Sequence, residues 1–349
     1  MANIRKTKNG TFQATIYVGR DSNGKQIRKY ITCDTRKECK RKARELEQEI
    51  EEGKFVYIRN MRLSKWMDEW LELNRNRLAP ASYVIYKGYI RRHYKPELGN
   101  YKLSQLDEII IKRFMNKKLK TLSQNTVRKL MYLLKRILQD GMKDKNPMKD
   151  IKIPGKQKAR FRLITDEEFE IIHKEAKKDI LDECVILLSG WGGLRRGEIF
   201  ALKPDDIDYK NLTIRVDESY SISENGYMDK SPKSENGFRK VVVPKYLIDL
   251  INKYRKQQNK IEDRLFNLRP DYYSHRFKSL LNRTILKDED IVFHDLRHYH
   301  ASWLYKNNVP DLYSAERLGH DINTLKKIYQ HLDKAVKKKY DEKILNMMK

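Results

Sequence analysis

Apolar residues change their period along this chain, and the changes mark its elements. Residues 11–18 (TFQATIYV) and 25–32 (KQIRKYIT) are rich in Thr, Ile, Tyr and Val and flank a stretch with a Ser-Asn-Gly turn signal, which predicts a β-hairpin. Asp34 or Thr35 stands where a helix cap belongs, ahead of a helix over 37–52 whose first half is basic and second half acidic. From Met61 the period becomes helical. Leu63, Trp66, Met67, Trp70, Leu71 and Leu73 recur on one face, and the period repeats over 83–94, 109–119 and 124–143. These positions are expected to form a core. The basic residues opposite them, Arg91, Arg92, Lys117, Lys118, Lys120, Arg128, Lys129, Lys135 and Arg136, would give one electropositive face suited to phosphates.

Residues 146–160 (NPMKDIKIPGKQKAR) hold two prolines and a glycine without periodicity, the pattern of an exposed linker. Beyond it, Thr165 followed by Asp166–Glu168 has the composition of a capped helix start. Alternating runs at 212–216 and 239–243, on either side of the turn-rich stretch 223–237, read as a strand pair in an otherwise helical domain. The expected fold class is therefore multidomain and mainly α: an N-terminal β-sheet plus helix module over 1–58, a helical domain over 59–150, a linker over 151–160, and a mixed, mostly α domain with a small β-sheet over 161–349.

Charge narrows the function. The formal net charge is +27, far more than solubility requires, and it is spread as +6 over 1–58, +13 over 59–150 and +8 over 151–349. A polyanionic partner touched by every domain, nucleic acid by default, is the natural reading. The first 44 residues alone carry 13 Lys or Arg against three acids. Cys33, Cys39 and Cys184 have neither disulfide nor zinc spacing, which fits a reducing compartment. No apolar run reaches the length of a membrane span and the N-terminus lacks a signal-peptide stretch, so the expectation is a cytoplasmic protein without membrane contact.

Three segments carry candidate chemistry. Gly192-Gly193-Leu194-Arg195-Arg196-Gly197-Glu198-Ile199 sets a guanidinium and a carboxylate three residues apart, close enough to pair on a helix. Phe293-His294-Asp295-Leu296-Arg297-His298 sets an imidazole and a guanidinium on one helical face. A metal reading of His294 and His298 lacks the glutamate that a hydrolytic zinc helix needs, and Arg297 would repel a cation. Leu318-Gly319-His320 adds an imidazole, followed nine residues later by the phenol of Tyr329 and then by His331. Each segment alone is bland.

Together, the strings GGLRRGEIFAL, PKSENGFRKVVVP, HDLRHYHAS and LGHDINTLKKIYQH, in that order over about 140 residues, resemble the signature boxes of the tyrosine recombinase (phage integrase) family. The helical domain and the short basic N-terminal module resemble the core-binding and arm-type-site-binding domains of integrases of phages and conjugative transposons. Position by position, the resemblance implies Arg195 and Arg297 as phosphate-clamping arginines, Glu198 as support for Arg195, and Lys233 as the lysine of a mobile hairpin. It implies His294 and His320 as the two histidines and Tyr329 as the nucleophile. Lys230 and Lys240 flank Lys233, and the Pro-Lys-Ser register with the later Arg239 favours Lys233. Arg196 is expected to face solvent or backbone. His300 stands where an apolar residue is usual and is expected to be packed or hydrogen-bonded, and Asp321-Ile322-Asn323 replaces small hydroxyl residues.

The implied activity is site-specific cleavage and religation of DNA, integrating and excising a mobile element. Tyr329 attacks a phosphodiester to give a 3′-phosphotyrosine, two guanidinium forks hold the charged oxygens, Lys233 protonates the leaving 5′ oxygen and His294 assists proton transfer at Tyr329. No cofactor or metal is implied. The implied partners are double-stranded DNA at core-type and arm-type sites, three further copies of the chain in a tetramer on DNA, and a host bending factor or excisionase. The tail over 332–349, with Val336, Tyr340, Ile344, Leu345 and Met348 at helical spacing, packs either on a neighbouring protomer or within its own chain. A non-catalytic DNA-binding regulator of the same fold is the alternative.

Overall fold

The computed structural model describes all 349 residues except 1–2, 8–9, 21–25, 52–60, 158–161, 232–236, 259–262, 320, 330–343, 346 and 348–349. The chain divides into two compact units, Met1–Lys158 and Ala159–Lys349.

In the first unit, strands β1 (Asn3–Lys6), β2 (Phe12–Arg20) and β3 (Gln26–Cys33) form an antiparallel sheet in sequence order, followed by helix α1 (Arg36–Glu51). Strand alternation turns Ala14, Ile16 and Cys33 inward to meet Cys39, Ala43 and Leu46 of α1. The predicted hairpin is present, and β1, whose four residues are mostly polar, extends it. Thr35, not Asp34, caps α1: its hydroxyl oxygen accepts the Glu38 amide at 3.3 Å.

The helical module has its own core. Its helices are α2 (Leu63–Leu73), α3 (Pro80–Tyr89), α4 (Lys95–Leu98), α5 (Glu108–Leu119) and α6 (Gln124–Met142), and a π-helical turn over Ile90–Tyr94 joins α3 to α4. Side chains of Asp107 and Ser123 cap α5 and α6. The apolar stripes interlock, and the polar ends of the buried aromatics find partners: Trp66 Nε1 donates to the Ile137 carbonyl at 2.9 Å, Trp70 Nε1 to Asp140 at 2.6 Å, and the Tyr94 hydroxyl to the Leu130 carbonyl at 2.7 Å. The stretch read as an exposed linker is not exposed at its start. Met148 and Ile151 are buried in this core, and the side chains of Gln124 and Asn125 donate to the carbonyls of Gly155 and Gln157 at 2.9 and 3.1 Å. Its three large apolar residues, Met148, Ile151 and Ile153, outweigh the proline and glycine signal. The basic face is also smaller than the stripe suggested. Lys118 is half-buried with its Nζ on Glu97 at 2.6 Å, and Lys135 donates to the Lys149 carbonyl at 3.1 Å, whereas Arg91, Arg92, Lys117, Lys120, Lys129 and Arg136 are exposed.

The second unit opens on α7 (Asp166–Ala176), where Thr165 and Glu168 form the expected reciprocal cap, with bonds of 3.2 and 2.9 Å. It continues through α8 (Ile180–Gly190), α9 (Arg196–Ile199), β4 (Ile207–Asp208), β5 (Thr213–Val216), β6 (Ser219–Ser223), β7 (Gly226–Lys230) and β8 (Arg239–Val242). Helices α10 (Lys245–Gln257), α11 (Pro270–Leu281), α12 (Asp295–Lys306), α13 (Asp311–Leu318) and α14 (Ile322–Tyr329) complete it. The predicted strand pair is β5 with β8, Val216 opposite Arg239, and β4 widens it to three strands. The stretch between them, which composition marks only as turn-rich, folds back as a second hairpin, β6 with β7. A large core gathers α7, α8, α10, α11 and the sheet. A smaller one, built from Ala301, Leu304, Ala315, Leu318 and Leu325, joins α12, α13 and α14. Among the described residues, no helix is long and apolar enough to cross a membrane.

Candidate active site

After α8 the chain turns sharply at Gly193, whose φ of +68° lies in the left-handed region. A Cβ there would also come within 2.6 Å of the His300 ring and 2.9 Å of Leu318. The turn delivers Arg195 to the N-cap of α9. Glu198, at the third helical position, accepts the Arg195 amide on Oε2 at 2.8 Å and the Arg195 Nη1 on Oε1 at 2.6 Å. The expected pair therefore forms, but with both bonds donated by Arg195 from the N-cap position and not across two helical residues, because Arg195 precedes the helix. Arg196 is part-exposed, and its Nη1 donates to the Ser274 hydroxyl on α11.

Glu198 has a second partner, which sequence reading used only as a register mark. Arg239 on β8 is 7% exposed and spans the carboxylate, Nη2 to Oε2 at 2.7 Å and Nη1 to Oε1 at 3.2 Å. The signal for it was legible. Residues 239, 241 and 243 take the inward phase of an alternating strand, and an arginine in that phase must meet a buried acid.

Arg297, in the first turn of α12, is 1% exposed and lies 3.7 Å from Glu198. Its Nη1 donates to the Gly193 carbonyl and its Nη2 to the Leu318 carbonyl. Arg195 Nη2 donates to the Gly319 carbonyl at 2.7 Å, and Arg239 Nε to the Arg317 carbonyl at 2.8 Å. Three successive carbonyls at the end of α13 thus each receive one of three arginines. The helix ends on Gly319 in the left-handed conformation, φ 56°, which turns these carbonyls outward, where the negative end of a helix favours cations. Burial pushes the Glu198 carboxyl up, but the guanidiniums of Arg239, Arg297 and Arg195 outweigh it and hold the group down at about 2.

His294 sits at the N-cap of α12, beside Arg297 as expected. Its ring stands edge-on to that of His298, centroids 4.7 Å apart. Burial, then the nearby His298, Arg297, Arg195 and Arg196, lowers His294 to about 4, so the imidazole is neutral near pH 7. His300 is packed and hydrogen-bonded as expected, with Nδ1 3.1 Å from the Gly190 carbonyl and Nε2 accepting from Arg317 Nε at 2.9 Å. Burial and the Arg317 charge lower it to about 3.

Arg195, Glu198, His294 and Arg297 are therefore brought together. Lys233 and His320 lie outside the described residues, as does most of the tail. Tyr329 is the last residue of α14, its side chain also outside what is described, and Leu325, fully buried, docks that helix on α12 and α13. Among the described residues, no group of three or more His, Cys, Asp or Glu is arranged to hold a metal ion.

Comparison with known proteins gives the family and the fold. Residues 162–335 match the phage integrase family, and residues 62–119 match the phage integrase N-terminal SAM-like domain. A tyrosine recombinase XerC-like protein of Caldanaerobacter subterraneus subsp. tengcongensis is 32% identical over 93% of this chain and 94% of its own length. Among solved structures, the Tn1549 transposon integrase in complex with transposon right end DNA superposes with a TM-score of 0.64 at 18% identity, covering 77% of this chain and 95% of that one. A lambda integrase tetramer bound to a Holliday junction superposes with a TM-score of 0.58 at 16% identity, covering 91% and 95%. With a full-length relative at this identity and family matches in both units, the chain belongs to the phage integrase family and is a tyrosine site-specific recombinase, an enzyme that cuts and rejoins DNA.

Proposed function

We propose that Tyr329 is the nucleophile and that the cluster at the end of α13 is the phosphate site, in a recombinase that integrates and excises a mobile element. The observation that carries this reading is the convergence of Arg195 and Arg297, with Glu198 paired to Arg195 and His294 beside Arg297, on the turn that leads directly into His320 and α14. Arg297 Nε is buried and meets no acceptor among the described residues, a donor that a phosphate oxygen would satisfy.

In this reading the Tyr329 oxygen attacks the scissile phosphorus while the bond to the 5′ oxygen breaks. The phenolic proton passes toward neutral His294, and the departing oxygen takes a proton from the Lys233 ammonium. Arg195 and Arg297 exchange backbone carbonyls for the non-bridging oxygens, whose charge grows in the transition state, and His320 donates to one of them. The 3′-phosphotyrosine keeps the energy of the broken bond, so a 5′ hydroxyl from a partner duplex can reseal the strand.

The same reading assigns 1–58 to arm-type sites, 59–150 to core-type sites, 151–160 to the linker and 161–349 to catalysis. The outer face of the N-terminal sheet supports the first of these: Arg5, Gln13 and Arg28 stand there with Tyr17 and Tyr30, each of the last two more than half exposed. The DNA held by the Tn1549 integrase supports double-stranded DNA as partner, and the lambda tetramer supports four copies on a junction. Buried, unbridged Cys33, Cys39 and Cys184 suit a cytoplasmic site of action. The test is covalent capture on nicked suicide duplexes carrying the element–host junction. Wild type forms a protein–DNA adduct and Tyr329→Phe binds without forming one. Tight, salt-sensitive binding without any wild-type adduct would instead favour a non-catalytic regulator.

A further inference from the structure

Arg239 has no atom to spare for DNA. It is 7% exposed, its Nη1 and Nη2 both lie on Glu198, and its Nε lies on the Arg317 carbonyl. Glu198 in turn uses the same two oxygens to hold Arg195, by its amide and by its Nη1. Arg195 and Arg297 are held by the next two carbonyls, of Gly319 and Leu318. When those two guanidiniums turn to a phosphate, the Arg239 bonds are the ones that remain between the Glu198 carboxylate and the end of α13. Three guanidiniums against one carboxylate also leave two positive charges, which matches the charge on the two non-bridging oxygens of a pentacoordinate phosphate.

We propose that Arg239 is a positioning residue for strand cleavage: by tying Glu198 to the Arg317 carbonyl, it fixes the aim of Arg195 and the turn that leads to His320 and α14 while phosphate replaces the carbonyls. This rests on the reading of Arg195 and Tyr329 given above. Arg239 acts through Glu198, and never on the substrate.

The experiment measures single-turnover adduct formation on a nicked suicide duplex from pH 5 to 9, with DNA affinity and thermal unfolding, for full-length wild type, Arg239→Met, Glu198→Gln, the double variant and Tyr329→Phe. Arg239→Met slows cleavage about 10²-fold, with affinity within about threefold of wild type. The double variant is no slower than Arg239→Met, because both substitutions break one linkage. Arg239→Met also loses additional rate as the pH falls. Glu198 then keeps only Arg297 of α12 and its own neighbour Arg195 against burial, and it protonates more easily. A purely structural residue would not add that acid limb.

Cleavage by folded Arg239→Met within threefold of wild type overturns the proposal, as do defects that multiply in the double variant. If Arg239→Met does not fold, Arg239→Lys, which keeps a positive charge beside Glu198 but cannot span both its oxygens and the Arg317 carbonyl, carries the test: the same slowing supports the proposal and a wild-type rate overturns it. An adduct formed by Tyr329→Phe overturns the assignment of the nucleophile, whereas a normal wild-type adduct with an unimpaired Arg239→Met overturns only the role of Arg239.

Discussion

The second unit and the helical module both collect arginines, in opposite settings. Arg239 and Arg297 are buried, and their nitrogens, Arg297 Nε excepted, are spent on Glu198 and on backbone carbonyls. Arg91, Arg92 and Arg136 of the helical module stand in solvent. A buried guanidinium must be matched donor by donor or it destabilises the fold, so its position is dictated to within a hydrogen bond. An exposed one is mobile and screened by salt. In the proposed mechanism the first setting supplies aim, which lowers a barrier, and the second supplies attraction, which raises affinity.

The contrast breaks most visibly at Arg297. Arg297→Ala is expected to slow adduct formation by about 10²–10³-fold, with DNA affinity changed only a few-fold, and Arg297→Lys is not expected to restore the rate, because an ammonium cannot reproduce the fork. Parallel kinetic and binding measurements check this, and a loss carried mainly by affinity would erase the distinction between the two regions.

A smaller effect follows from the buried histidines. His300 and His294 are held near 3 and 4 by burial, and an unfolded chain binds these protons near 6.5. The unfolded state therefore holds more protons between those values. Their contribution to stability is complete above about pH 6.5 and is lost as pH falls through 4 toward 3, each tenfold difference in proton affinity between the two states counting for about 1.4 kcal/mol. Hydrogen exchange of the full chain at pH 7 and pH 4.5 should show α12 losing protection before α6. Equal losses would argue that the second unit is no more sensitive than the helical module.

The smallest effect belongs to the exposed side. Substituting alanine at both Arg91 and Arg92 should weaken binding and lower the slope of log affinity against log salt by about 0.9 for each phosphate contact removed, while cleavage of saturated DNA keeps its rate. A change in that rate with an unaltered salt slope would place these arginines among the aiming residues.

Much of this was legible beforehand, for local reasons. The hairpin, the helical stripes, the Thr165–Glu168 cap and the Arg195–Glu198 spacing all join residues a few positions apart, where period and composition carry the information. The ordered boxes added His294, Arg297 and Tyr329 by resemblance. The misjudged places are those where local composition competed with packing: Met148 and Ile151 buried inside an apparent linker, the β6–β7 hairpin inside an apparent loop, and Lys118 paired with Glu97 on an apparent phosphate face.

The sequence by itself determined the family and most of the elements, and it named the groups proposed to react, because helix and strand periods, caps and signature strings are short-range properties. The tertiary structure alone decided that Arg239 would grip Glu198, 41 residues away, and that Arg195, Arg297 and Arg239 would meet three consecutive carbonyls at the end of α13. Hydrogen bonds between segments so far apart leave no period in the chain. They exist because packing α8, α12, α13 and β8 around one turn buries charges that must then find one another.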